Sequence, residues 1–150
     1  MGSPPDGGGY ERLLPWAAMG GTIVCDVTDP LAGRNAAEFA AALGARLELR
    51  VVLVHVGVEA DPRLETLARG VGRDAETRVA VGDHAEALAR VAAEEGADLV
   101  VVGARPAGLG GRNLRWALAR ELEAATPVPV VVAPPSTRKR SDRRLSAPAR

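Results

Sequence analysis

The sequence predicts an α/β fold, a doubly wound three-layer α/β/α sandwich around a five-stranded parallel sheet, and three observations carry that prediction. Five short apolar runs are nearly continuous instead of alternating with polar residues: 21–26 (GTIVCD), 47–56 (LELRVVLVHV), 77–81 (TRVAV), 98–103 (DLVVVG) and 128–133 (VPVVVA). Strands read this way when both of their faces are buried, as in a parallel sheet covered by helices. Four helical patterns separate the runs, and right-handed crossovers turn the resulting βαβαβαβαβ order into a doubly wound sheet. Composition agrees: 47% of the 150 residues are hydrophobic and only 3% aromatic, so the core is built from Val, Leu, Ile and Ala.

Each helix has its own start and stop signals. Asp29-Pro30 supplies an N-cap and a proline for the first helical position, and the stripe Ala36, Phe39, Ala40, Leu43 predicts a helix that stops at Gly44. Asp61-Pro62 repeats that opening for a short helix ending near Gly70. Asp83 followed by Glu86 resembles a capping box, Ala85, Leu88, Val91 and Ala92 form the inward face, and Gly96 ends the segment. The fourth helix, from about Arg112 to Ala125, carries Leu114, Leu118 and Leu122 four residues apart and stops before Pro127.

The chain divides into a glycine- and proline-containing start over 1–20, a globular domain over 21–134 and a basic tail over 135–150. Both ends lack the apolar periodicity that would offset their ordering entropy and are expected to be disordered. The formal net charge is zero, which gives no whole-chain argument for nucleic acid or membrane partners. The tail, with six basic residues against Asp142, is read as a solvated segment and not as a nucleic-acid contact. No apolar run reaches the ~20 residues that span a bilayer, and no secretory leader pattern is seen, so a cytoplasmic location is expected. Lys139 is the only lysine among 19 basic residues, a bias that suggests a GC-rich bacterial genome. Cys25 is the single cysteine and sits inside an apolar run, where buried packing is expected in place of reactivity.

Ligands of doubly wound sheets sit beyond the carboxyl ends of the strands where the strand order reverses. That places the candidate site at Asp26, at His55-Val56 and at the loop after Gly103. Residues 81–105, VGDHAEALARVAAEEGADLVVVGAR, resemble the universal stress protein family, in which a Gly-Asp or Gly-x-Pro turn opens a helix followed by Ala-Asp-Leu-(Val/Ile)-Val-Val-Gly. Residues 125–134, ATPVPVVVAP, resemble that family's closing strand, and the likeness extends over about 21–134. It implies the Rossmann-like fold shared with adenine nucleotide alpha hydrolases and a role in stress response or regulation.

The resemblance also implies a nucleotide site, with an acid ending the first strand (Asp26), a valine ending the second (Val56), and Gly-x2-Gly-x9-Gly-(Ser/Thr) after the fourth. Glycines admit backbone N–H groups to phosphate oxygens, and a hydroxyl at a helix start completes an anion site. Laid on this sequence without gaps, the spacing puts Gly103, Pro106, Trp116 and Ala117 at those places. Proline has no N–H, tryptophan is bulky where backbone should meet phosphate, and alanine has no hydroxyl. The expectation is a degenerate site that does not bind ATP. The alternative is an ATP- or AMP-binding protein with a rebuilt anion site from Gly108, Gly110 and Gly111 with Arg105 and Arg112. A nucleotide hydrolase of the same fold is a further alternative. The stretch matches neither GxGxxG nor GxxxxGK[ST].

No catalytic residue, metal cluster or Ser/His/Asp arrangement is indicated, so an enzyme is not expected. His55 is read as a structural strand-end residue and His84 as a solvated helix-start residue. Trp116 lies about two hundred degrees round the helix from Leu114 and either plugs the old phosphate groove or packs at a subunit contact. The strand Val128 to Val132 would leave an apolar edge, which predicts a two-fold homodimer through it with the missing donor of Pro129 turned away from the new ladder.

Overall fold

The computed structural model describes residues 20–72, 75–104 and 111–135. The elements run β1 (Thr22–Asp26), α1 (Pro30–Leu47), β2 (Arg50–Val56), α2 (Pro62–Val71), β3 (Ala75–Ala80), α3 (His84–Glu94), β4 (Leu99–Gly103), α4 (Gly111–Ala125) and β5 (Val130–Ala133). The five strands form one parallel sheet in the order β3-β2-β1-β4-β5. The order reverses between β1 and β4, which is therefore the switch point.

Strand alternation sorts the core into two layers. Ile23, Cys25, Val51, Leu53 and Val101 face α1 and α2, where they meet Ala36, Ala37, Ala40 and Leu64. Val24, Val52, Val54, Val100 and Val102 face α3 and α4, against Leu88, Val91 and Leu122. Both faces of the central strands are covered, which is why their runs are continuous. The Cys25 thiol is fully buried and burial pushes its pKa well above the usual thiol value, as expected of a packing residue. On the β3 side, Arg50 bridges Glu76 and Glu95 at 2.9 and 2.7 Å, and Arg78 reaches Glu95 at 3.0 Å, fastening β2 and β3 to the end of α3.

The caps form where the sequence places them. Asp29 accepts from the N–H groups of Leu31 (3.0 Å) and Ala32 (2.9 Å), Asp61 from Arg63 (2.9 Å), and Asp83 from Glu86 (3.4 Å). One stop differs. Gly44 does not end α1; the helix continues to Leu47 and closes at Glu48, which takes the left-handed conformation at φ 54°. Gly44 is instead a close-approach residue, since a Cβ there would stand 2.9 Å from the Leu49 carbonyl and from Val51. The extra turn explains why β2 starts at Arg50 and not at Leu47. β5 likewise begins at Val130, after Pro129.

Candidate functional site

At the switch point the carboxyl ends of β1 and β4 and the amino-terminal turns of α1 and α3 enclose a cavity of about 290 Å³. Its lining includes Asp26, Asp29, Gly33, His84, Gly103, Ala117 and Glu121. Two larger clefts lie away from the β1/β4 switch point, one of about 1070 Å³ at the amino ends of the strands and one of about 670 Å³ between α1 and α2 that reaches Val27 just past β1. The smaller cavity is the one whose position and polar groups fit a ligand site.

Two glycines let the backbones converge here. A Cβ on Gly103 would meet the Ala32 carbonyl oxygen at 1.9 Å, and one on Gly33 would meet the Val27 backbone at 2.6 Å. Gly103, read from the sequence as a ligand-approach glycine, lines the cavity but is already required by the packing of α1 on β4.

Asp26 is buried, 7% exposed, at the end of β1. Its Oδ1 accepts from the N–H of Thr28 (3.1 Å) and from the Thr28 hydroxyl (2.6 Å). The same hydroxyl oxygen accepts from the N–H of Val56 at 3.0 Å. Val56 thus connects to Asp26 through Thr28 but packs against the core and does not line the cavity. The other carboxylate oxygen, Oδ2, lies 2.9 Å from Nε2 of His84, which donates because the carboxylate only accepts.

His84 corrects the sequence reading. It is not a solvated helix-start residue: its side chain is 39% exposed, lines the cavity and pairs with Asp26. Opening α3 over the carboxyl end of β1 brings it there, across 58 positions of sequence. The hydrogen bond to Asp26 raises the His84 pKa above its usual 6.5; burial opposes this, and the charges of Asp26, Asp83 and Glu121 add to the rise.

His55 stands at the end of β2, with Nδ1 buried and 3.7 Å from Asp61 Oδ2, too far for a hydrogen bond. Arg105, Gly108 and Gly110, with Pro106, lie outside the described residues; Gly111 opens α4, and the side chains of Arg112, Leu114 and Trp116 are likewise outside them. Thr28 was not legible as a site residue, although an acid followed two positions later by a hydroxyl is a local hydrogen-bonding pattern that could have signalled it. Among the described residues, no group of three or more His, Cys, Asp or Glu side chains could hold a metal ion.

Known proteins share this fold. No match is found among curated proteins. A universal stress protein in complex with cAMP is similar in fold, with TM-score 0.61 and 21% identity over 77% of this chain and 98% of that one. The universal stress protein from Archaeoglobus fulgidus in complex with dAMP gives 0.55 and 20%, over 77% and 98% of the two chains. A universal stress protein family member from Burkholderia pseudomallei gives 0.59 and 22%, over 79% and 98%. At these identities the likeness establishes the fold. The model of the universal stress protein family matches residues 57–134, from the end of β2 through β5, and so spans more than half of the sequence. With the parallel sheet and its β1/β4 switch point, that match establishes that the chain belongs to the universal stress protein family.

Proposed function

We propose that this protein is a small cytoplasmic binding module of a bacterial stress response whose inherited nucleotide site is degenerate and does not bind ATP. The observation that carries this reading is the lining of the switch-point cavity. Ala117, at the place where the family spacing calls for a hydroxyl, lines the cavity with a methyl group. Among the described residues, the charged groups around it are the carboxylates of Asp26, Asp29 and Glu121 against the single imidazole of His84. Such a lining repels a polyphosphate, and about 290 Å³ is at the small end of ligand cavities.

A second reading, an adenine monophosphate site that uses Gly108, Gly110 and Gly111 with Arg105 and Arg112, is favoured by the solved relatives in complex with cAMP and dAMP. Thermal-shift titration with ATP, ADP, AMP, cAMP and adenosine separates the two. The first reading expects no shift with ATP; a shift with ATP at micromolar concentration overturns it, and one with AMP alone supports the second. Phosphate release from ATP over hours tests the hydrolase alternative, for which the present reading expects none.

The proposal includes a homodimer through β5, which forms one edge of the sheet. The carbonyls of Pro129 and Ala133 accept from the N–H groups of Val100 in β4 (2.9 Å) and of Ala104 just after it (3.2 Å). Alternation then turns the N–H and C=O groups of Val130 and Val132 outward, and the missing donor of Pro129 faces β4 and not a partner.

A further inference from the structure

We propose that His84 is the specificity-determining residue of the switch-point cavity: while its imidazolium is locked on Asp26 the cavity rejects nucleosides, and it admits them once His84 is neutral or removed. This rests on the reading of the cavity as a degenerate nucleotide site. Of the two Asp26 oxygens, Oδ1 is held by two donors from Thr28. Oδ2 is the one left to meet a hydroxyl or amino donor of a ligand, and the His84 ring occupies it at 2.9 Å. Asp26 and His84 both line the cavity, so a ligand donor that reaches Oδ2 must share or displace the imidazole. A buried carboxylate at the carboxyl end of a strand beside a switch point suits vicinal hydroxyls or a ring amine, the donors of a nucleoside.

The competition depends on proton binding. A charged imidazolium holds a carboxylate about twice as strongly as a neutral donor does. The charged groups facing His84 are Asp26 at the end of β1, Asp83 at its own helix cap and Glu121 on α4, with Asp29 of the α1 cap on the same cavity. All of these among the described residues are acids, and they favour the locked, protonated state. A nucleoside that displaces His84 lowers the histidine pKa in the complex, so binding releases a proton. Linkage then makes affinity rise with pH, by up to about tenfold per unit, until His84 is neutral in the free protein.

The test is calorimetric titration of the full chain with adenosine from pH 6 to 9, on the wild type, His84→Ala and His84→Gln. Wild-type affinity is expected to rise with pH and level off, and His84→Ala to bind about tenfold more tightly at pH 6 with no slope. His84→Gln, which keeps a neutral donor near Asp26, is expected to fall between them, also without slope, and serves if the alanine variant folds poorly. Only two histidines are present, so ring proton resonances follow His84 directly, and adenosine should lower its apparent pKa. A flat wild-type profile, or no adenosine binding by any of the three proteins, overturns the proposal. Micromolar ATP binding by the wild type would instead overturn the degenerate-site reading, a separate outcome of a separate titration.

Discussion

The two oxygens of Asp26 have different partners, and that asymmetry sets what each neighbouring residue contributes. Thr28 binds Oδ1 and links it to the backbone of Val56, which fixes the carboxylate by contacts local to the ends of β1 and β2. His84 binds Oδ2 from another element, so its effect depends on charge. Because the folded-state pKa of His84 lies above its ordinary 6.5, protonation favours the folded state. The stability this adds is fully present below about 6.5 and is lost as pH rises through the folded value. The gap in urea midpoint between wild type and His84→Ala should therefore be widest at pH 6 and shrink by pH 9. An equal gap at both values would mean that the pair is not charge-assisted. Asp26 was legible in the sequence because a strand-end acid at a switch point is a positional signal. His84 was not, because its partner is 58 residues away and nothing local marks the contact.

Helix caps were read correctly at the scale of single elements, since Asp-Pro and Asp-x-x-Glu act within one turn. Gly44 was misread for the opposite reason: the sequence shows a glycine in a helical pattern but not the Leu49 carbonyl and Val51 that press on it. Gly103 belongs to the same class. Its Cα lies against the Ala32 carbonyl, so α1 can sit on β4 only if no side chain intervenes. Gly103→Ala should destabilise the protein by about 3 kcal/mol, the upper range for overpacking, as read by chemical denaturation. A loss below about 0.5 kcal/mol would show that α1 can withdraw at little cost. Leu122, fully buried between α4 and the sheet, gives a comparison without backbone clash: Leu122→Ala should lose about 3 kcal/mol through its cavity.

For the whole molecule, the continuous apolar runs made the parallel sheet legible, and the βα alternation fixed its handed winding. The switch point followed from strand order, and the cavity forms there. What the sequence left open is how tightly the cavity is closed, which depends on backbone convergence at Gly33 and Gly103 and on the Asp26 to His84 contact. Assembly is argued at this scale too. If β5 pairs with its copy, Val132→Pro, which removes an outward donor, should convert a dimer seen by light scattering at micromolar concentration into a monomer. A wild type that is monomeric under those conditions contradicts the proposed dimer.

Calorimetric titration of the 150-residue chain with magnesium-ATP at neutral pH is the direct test of the proposal that the nucleotide site does not bind ATP. The account predicts no binding heat, with any dissociation constant weaker than about 1 mM. A saturable titration with a micromolar constant would contradict it.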